Sequence, residues 1–186
     1  MTLVEEPNSN PGQAVLTKPK LLLPWDEQGL LPFKQITMNA EQLVDSPFVS
    51  GYGSNVRCWD SKRRLSIARD LIECLKTLSL FGIHEAIVGG EFVERVAEPA
   101  SAEGYFRLDG DAFKLPQLQE FLATVEPCRS WAWFPSGDAS SEPLVRLYPV
   151  LCYRRKTVIE IPPVALDYFH KDSSGKHKGV IQLVTA

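Results

Sequence analysis

Apolar residues recur every three or four positions between residues 60 and 82, and this spacing predicts the longest helix of the chain. The apolar stripe consists of Leu65, Ala68, Leu71 or Ile72, Leu75 and Leu78. Asp60 or Ser61 is suited to cap the start, because short polar side chains accept hydrogen bonds from the first free amides of a helix. Gly82 is suited to end it. We therefore expect an amphipathic helix that packs on a sheet.

Shorter apolar segments that end in turn residues predict the strands of that sheet. The predicted strands span residues 85–88, 104–108, 144–153 and 157–161, and two arms of a hairpin span residues 165–170 and 179–184. Gly175 supplies the turn between the two arms, since glycine adopts the backbone conformations that tight turns need. Further short helices are predicted at residues 39–44, with Thr37 or Asn39 as the cap, and at residues 114–125. Residues 46–55 are rich in Gly, Ser and Pro, which predicts a loop.

The domain organisation follows from the distribution of these elements. Residues 1–20 are polar and contain repeated Pro, Asn and Gly, which predicts a flexible tail. Residues 21–186 are enough for one domain with a substantial core. The mixture of helices and strands predicts an α/β (α+β) fold, with a sheet that has its helices packed on one side.

Composition excludes several function classes. The formal net charge of −3 gives no overall basic balance for nucleic acid. The four cysteines form no CxxC pair and there are three histidines, so we expect no zinc site. No apolar run approaches the roughly 20 residues that span a bilayer, and the first residues are polar and acidic. The sequence predicts a cytoplasmic protein with reduced thiols and no membrane partner.

The segment at residues 21–32 carries two leucine runs around a polar turn, and we expect an extended arm that turns at Gly29. Its apolar side chains have two interpretations: a partner protein docks on them, or they pack against their own domain. The candidate docking residues are Trp25, Leu30, Leu31 and Phe33.

Three groups of basic residues suggest a nucleic-acid surface if they converge with nearby aromatic rings, because single strands bind to cations and stacking platforms. The groups are Lys62-Arg63-Arg64, Arg154-Arg155-Lys156, and Lys171 with Lys176-His177-Lys178. The alternative is a solvated helix flank and two solvated loops.

Several short segments resemble, in order and spacing, nucleotidyltransferases of the polymerase-beta type and, more closely, the bacterial family DUF6932. The segments are Gly29-Leu-Leu-Pro32, the helix before Gly82, Val88-Gly-Gly-Glu-Phe-Val93, Pro99-Ala-Ser-Ala-Glu-Gly-Tyr105 and Phe169-His-Lys-Asp-Ser-Ser-Gly-Lys-His-Lys-Gly-Val-Ile181. The resemblance covers residues 23–184 and implies a nucleotidyltransferase-like mixed sheet. In such enzymes a Gly-Ser pair holds the phosphates of a nucleotide, and three carboxylates hold two Mg²⁺ ions.

The positions that this resemblance assigns to the active site are altered here. Gly90 matches the glycine, but Glu91 stands where the serine belongs. The two aspartate positions of the first metal-binding strand fall on Ser101 and Glu103. Ser101 is a poor Mg²⁺ ligand, since this cation prefers anionic oxygen. A carboxylate facing a phosphate costs roughly 3 kcal/mol at about 5 Å and an effective dielectric near 20.

The resemblance with these changes predicts a degenerate nucleotidyltransferase-like protein with no catalytic residue, no metal and no cofactor. We expect it to act as a binding or regulatory subunit of a bacterial complex with a protein partner. Analogy with other small proteins of this fold points to toxin–antitoxin or phage-defence systems.

Two alternative functions stay open at this point. In the first, an active Mg²⁺-dependent transferase uses a rearranged site built from Glu91, Glu103 and either Asp109 or Glu160. It requires these carboxylates to share one cleft, and a cation such as Arg146 paired inside that cleft counts against it. In the second, the protein is an RNA-binding accessory whose three basic groups share one face.

Overall fold

The computed structural model describes residues 25–109, 144–155, 158–160, 168–172 and 174–185; for residues 109, 151–155 and 158–160 it describes the backbone alone. The predicted tail at residues 1–20, the predicted helix at 114–125 and Lys156 lie outside these ranges. None of the described helices has the length and apolar character that crossing a bilayer requires.

The described residues form six strands and three α-helices. In chain order they are β1 (Gln35–Met38), α1 (Ala40–Val44), α2 (Pro47–Ser50), α3 (Ser61–Ser79), β2 (Glu85–Gly89), β3 (Ala102–Asp109), β4 (Val145–Arg155), β5 (Val158–Glu160) and β6 (Val180–Val184). A single 3₁₀ turn (Glu91–Val93) follows β2. The predicted strands β2 to β5 are confirmed in place, with β3 and β4 longer than predicted.

The strands form one mixed sheet in the order β1-β6-β2-β3-β4-β5. β1 runs parallel to β6 and β3 runs parallel to β4, whereas the other neighbours are antiparallel. The predicted α/β class with a mixed sheet is therefore confirmed. The connection between β3 and β4 is long, as two parallel neighbours require.

Alternation along the strands separates the two faces of the sheet, because successive side chains of a strand point to opposite sides. On one face the strand residues join the buried side chains of α1, α2 and α3 in a single core. In β2, for example, Ala86 and Val88 belong to this core, whereas Ile87 belongs to a smaller cluster on the other face. The three described helices thus pack on one side, as predicted.

The long helix begins and ends as the sequence predicts. The Asp60 side chain accepts a hydrogen bond from the Arg63 amide, and Gly82 has a φ of +79° just beyond the last turn. The predicted stripe is buried at Ala68, Leu71, Leu75 and Leu78, whereas Leu65 is half-buried against the core. Asn39 caps α1 in a capping box, which confirms the second of the two predicted caps.

Two sequence predictions on local structure are wrong. Residues 46–55 are not all loop, because α2 occupies Pro47–Ser50: proline suits the first helical turn, and Gly51 ends the helix with a φ of +71°. The hairpin with β6 as an arm is also wrong, because β6 pairs on its two sides with β1 and β2; residues 165–167 of the other predicted arm lie outside the described residues. Gly175 does make the predicted turn, with a φ of +83°, but it closes a short loop ahead of β6.

The face opposite the helices carries a polar row across four strands. The Gln182 amide oxygen accepts hydrogen bonds from Gln35 and Thr37, each at 2.8 Å, and its nitrogen donates to Glu85 at 2.6 Å. Glu85 also forms an ion pair with Arg107 on β3. These side chains therefore link the strands by hydrogen bonds, next to the apolar cluster that Ile87, Tyr105 and Val180 form on the same face.

The arm turns at Gly29 as predicted, with a φ of +82° and a hydrogen bond from its amide to the Asp26 carbonyl. Leu30 and Leu31 are buried in the domain. Trp25 is half-buried, and its indole N–H donates to the Val93 carbonyl at 3.0 Å. These three side chains therefore pack against their own domain, which is the second of the two interpretations.

Candidate functional site

A cleft of about 660 Å³ opens where β2 ends and β3 and β4 begin. Its size lies within the range of sites that bind small molecules or side chains of a partner. The residues that line it come from the turn after β2, the starts of β3 and β4, and the loop before β6: Gly90, Glu91, Glu94, Ala100, Ser101, Glu103, Arg146, Tyr168, Phe169, Lys171, Asp172, Gly175 and Lys178. The four positions of the predicted vestigial site, Gly90, Glu91, Ser101 and Glu103, are therefore together.

The turn at Gly90 brings the end of β2 against the start of β3. Gly90 has a φ of +69°, and a Cβ added there would lie 3.3 Å from the Glu103 amide nitrogen. Glu91 is exposed, and its Oε2 accepts a hydrogen bond from the Ala100 amide at 2.8 Å. The carboxylate in the predicted serine position thus holds the loop that leads into β3.

Glu103 is paired with a cation inside the cleft. The register of the parallel pair β3 and β4 sets Glu103 beside Arg146, and the Arg146 guanidinium approaches Glu103 Oε1 at 3.3 Å. Both side chains are about 30% exposed or less. The Nε of Arg146 is buried and has no hydrogen-bond partner. Burial, followed by the charge of Glu103, raises the pKa of the neighbouring Tyr148.

A second ion pair closes the cleft on the side of the loop before β6. Lys178 is 5% exposed and its ammonium group binds the Glu94 carboxylate. Burying a lysine in this way is tolerated only with an opposite charge close by. The pair joins two segments that are 84 residues apart in sequence, so it ties the turn after β2 to the last loop of the described chain.

The wall that carries Glu91 and Glu94 is held from behind by Arg64 of α3. This side chain is fully buried, and its guanidinium donates to four backbone carbonyls: Phe48, Phe92, Glu94 and Val96, at 2.5–3.1 Å. It also lies over the Trp59 ring at 3.8 Å. Burial lowers the pKa of Arg64 to about 10. The sequence prediction that Arg64 belongs to an exposed basic group is wrong, because carbonyls of α2 and of the segment after β2 take all of its hydrogen-bonding capacity apart from Nε.

Phe169 and Tyr168 line the cleft as part of a group of aromatic rings on the sheet face opposite the helices. Phe169 is buried against Tyr105 and Tyr148, with ring centroids 5.2 and 5.7 Å apart. Tyr168 lies at the rim and is 61% exposed. His170 is half-buried, and its Nε2 lies 3.4 Å from the Tyr105 hydroxyl. Burial, together with the charges of His177 and Lys178, lowers the pKa of His170.

The loop before β6 is itself built on Asp172. Its Oδ1 accepts hydrogen bonds from the Ser174 amide and hydroxyl and from the Lys176 amide, at 2.7–2.9 Å. The Ser174 hydroxyl is the main reason that the pKa of Asp172 is lowered. Lys176 in turn binds Asp26 at 2.6 Å, which attaches the loop to the arm.

The other residues predicted to bind a partner are divided between several places. Phe33 is 65% exposed, lies against His177 at 5.0 Å between ring centroids, and is the predicted docking residue of the arm that stays accessible. Arg63 donates to the Pro99 and Ala100 carbonyls at 2.6 and 2.8 Å, so it supports the rim of the cleft.

The predicted convergence of the three basic groups is not found in the part of the chain that the structure describes. Arg154 and Arg155 lie near the far end of β4, about 27–30 Å along the strand from Arg146 at the cleft. Lys176 and Lys178 are at the cleft end, where each is paired with a carboxylate. Lys156 lies outside the described residues.

The rearranged carboxylate site is also not assembled at the cleft. Asp109 is six residues beyond Glu103 on β3, or about 20 Å along the strand. Glu160 pairs with Tyr153 of β4, seven residues beyond Arg146 and about 23 Å away from it along that strand. Within the described ranges, no three His, Cys, Asp or Glu residues are grouped as metal ligands. The donor set of the cleft does not fit two Mg²⁺ ions, because Glu103 is paired with Arg146 and Ser101 supplies a neutral oxygen.

A protein-family model described as a family of unknown function, DUF6932, matches residues 23–184. The chain belongs to the DUF6932 family. Neither the curated proteins nor the solved structures contain a match to it. The matched range includes every residue that lines the cleft, so the cleft lies within the DUF6932 region.

The sequence identified the positions of this site but missed the contacts that decide its chemistry. The sequence indicates Arg146 as a cation that could fill the cleft, but it indicates neither the Glu94–Lys178 pair nor the buried role of Arg64. A signal for Arg64 existed: it precedes Ile67, Ala68 and Leu71 at helical spacing, so it extends the buried stripe of α3 by one turn.

Proposed function

We propose that this DUF6932 protein is a nucleotidyltransferase-like protein without transferase activity, which works as a binding or regulatory subunit of a protein complex. The observation that carries the proposal is the ion pair between Glu103 and Arg146. A metal ion that used Glu103 would have to displace a guanidinium group and then remain beside its positive charge. Such a site favours a stable internal pair over Mg²⁺.

The position of Glu91 supports the same proposal. Transfer of a nucleotide requires donors and cations around the phosphates. The turn after β2 instead presents a carboxylate, and its hydrogen bond with the Ala100 amide holds it at the cleft. A triphosphate that entered here would meet the like charge of Glu91, whereas Glu94 is paired with Lys178.

The cleft is still well constructed, which supports binding as the retained activity. Arg64, the Glu94–Lys178 pair and the Asp172 loop each hold one wall by several hydrogen bonds or an ion pair. Preorganised walls of this kind lower the entropy lost on binding. By analogy with other small proteins of the nucleotidyltransferase fold, a bacterial toxin–antitoxin or phage-defence complex is the setting that we propose.

A transferase assay tests the loss of activity. The purified protein is incubated with each labelled nucleoside triphosphate and Mg²⁺ or Mn²⁺, with total RNA and the protein itself as acceptors. We expect no label above that of the Glu103→Ala variant, because Glu103 holds no metal. Transfer that the wild type performs and Glu103→Ala abolishes would contradict the proposal.

Purification from the native host tests the binding role. The tagged chain is expected to retain a protein partner in a fixed ratio through a size-exclusion step. Isolation of the chain alone, at physiological salt and native expression level, counts against a subunit role.

A further inference from the structure

The charged groups that line the cleft are not equally available to a ligand. Of its cations, Arg146 and Lys178 are each paired with a carboxylate that also lines the cleft. Glu91, by contrast, is exposed and binds a neutral backbone amide through one oxygen, and the cation that attracts it, Arg64, lies behind the wall of the cleft and donates to four carbonyls instead. Four carboxylates and three cations line the cleft among the described residues, which leaves one net negative charge. The cleft is therefore better suited to a cation than to an anion.

A second, independent observation points to a ligand at the same place. Ser101 is 8% exposed and lines the cleft next to Ala100, but its hydroxyl makes no hydrogen bond with any described residue. The buried polar atoms without a hydrogen-bond partner among the described residues are the Nε atoms of Arg64 and Arg146, so the Ser101 hydroxyl is accessible from the cleft rather than sealed off. The Ser101 hydroxyl thus provides a hydrogen-bonding group for whatever enters.

The rim adds an aromatic surface. Tyr168 lines the cleft and is 61% exposed, with its ring held edge-on against Phe169 at 4.9 Å between centroids. Exposed tyrosine rings bind guanidinium groups on their faces. Arginine is the natural side chain for such a site, since it is planar, always charged and carries five N–H donors.

From this juxtaposition of Glu91, Ser101 and Tyr168 we infer that the cleft receives an arginine side chain of the protein partner. The guanidinium would donate hydrogen bonds to the Glu91 carboxylate and the Ser101 hydroxyl, while Tyr168 covers it from the rim. The inference rests on the proposed binding function, and it specifies the chemistry of the partner. A nucleotide site binds anionic phosphates, whereas this cleft would bind a cation.

The test measures binding of a short probe, Ac-Gly-Arg-Gly-NH₂, by NMR titration of the ¹⁵N-labelled full chain at low salt. The matched probe carries citrulline, which has the same shape as arginine but no charge. We expect the arginine probe to shift the amides of Glu91, Ala100 and Ser101, and the citrulline probe to bind at least about tenfold more weakly.

Two cleft variants are expected to change this affinity in opposite directions. Glu91→Gln keeps the hydrogen bond with the Ala100 amide but removes the charge, so binding should weaken about tenfold. Arg146→Gln releases Glu103 and removes a positive charge, so binding should tighten about threefold. Glu41→Gln, which changes an exposed carboxylate on α1 among the helices, should have no effect.

Three outcomes overturn the inference: no binding of the arginine probe, equal binding of the two probes, or weaker binding by Arg146→Gln. If Glu91→Gln instead gains affinity for inorganic phosphate or ATP while losing none for arginine, the cleft is an anion site. The amide spectra of each variant show whether it has folded. The transferase assay does not depend on the arginine probe, so failure of this inference and failure of the proposed function give different results.

Discussion

Arg64 and Arg146 each leave Nε without a partner, but the regions around them are built on different principles. Arg64 is enclosed between α3 and the segment after β2, where four carbonyls and the Trp59 ring surround it. Arg146 lies on the opposite face of the sheet, partly exposed, with one carboxylate at 3.3 Å. Arg64 therefore stabilises the fold, whereas Arg146 has a carboxylate partner that another charge could replace.

Removal of the two arginines is the strongest test of this contrast. Arg64→Met leaves two buried and two partly buried carbonyls without donors, so we expect the free energy of unfolding to fall by about 4 kcal/mol. Arg146→Met breaks a long, partly exposed pair and also removes the unsatisfied Nε, so its cost should stay below about 1 kcal/mol. Urea denaturation followed by circular dichroism measures both values.

Arg69 provides the control for that comparison. It lies on the exposed face of α3, and Arg69→Met should change stability by less than about 0.5 kcal/mol. If Arg64→Met and Arg146→Met destabilise the protein equally, the distinction between the two regions fails.

The two lysine pairs of the loop before β6 sharpen the same contrast at a smaller scale. Lys178→Met leaves Glu94 largely buried without its cation, and we expect a loss of about 3 kcal/mol. Lys176→Met breaks the exposed pair with Asp26 and should cost under about 1 kcal/mol. Thermal unfolding of both variants gives the comparison.

A double variant separates the ion pair from the burial of its partner. Glu94→Gln combined with Lys178→Met should recover part of the loss, since no unpaired charge remains. If the double variant is as unstable as the sum of the two single variants, the pair does not act as a unit.

The smallest expected effect concerns pH and His170. Burial is the main cause that lowers the pKa of His170 from its usual 6.5, so the unfolded chain binds the proton first as the pH falls. The contribution of neutral His170 to stability is therefore present above about pH 6.5 and is lost as the pH falls through the lower pKa of the folded state. His170→Gln should flatten the stability profile just below pH 6.5.

The carboxylates whose pKa values are lowered do not overlap with this measurement, whereas burial raises the pKa of Asp70 and gives a slope of the opposite sign. The pKa values of Asp26 and Asp172 are lowered from 3.8, chiefly by the Lys176 side chain and the Ser174 hydroxyl respectively, so they act at a lower pH. A wild-type profile that is already flat between pH 7 and 5 would show that His170 is not responsible. Chemical denaturation at a series of pH values provides the profile.

The local elements could be predicted because their causes are local. The periodicity of α3, the Asn39 cap and the glycine turns at Gly29 and Gly175 each depend on residues a few positions apart. The loop predicted at residues 46–55 failed for a local reason as well: the proline that seemed to break the chain begins α2 instead.

The contacts that define the cleft depend on pairing between distant segments, which a single sequence does not reveal. Glu103 meets Arg146 because β3 and β4 are parallel neighbours in that register, 43 residues apart. Glu94 and Lys178 are 84 residues apart. The sequence located the altered positions, Glu91 and Ser101, but the pairing of the strands decides which charges remain available to a ligand.

The position of β6 between β1 and β2 has a consequence for biosynthesis. β1 contacts the rest of the described sheet through β6, since the strand order is β1-β6-β2. During translation β1 leaves the ribosome about 145 residues before β6, and among the described strands it has no neighbour to pair with until Val180–Val184 emerges. We therefore expect the arm and β1 to be the last part of the sheet to assemble, and to need protection from other chains in the meantime.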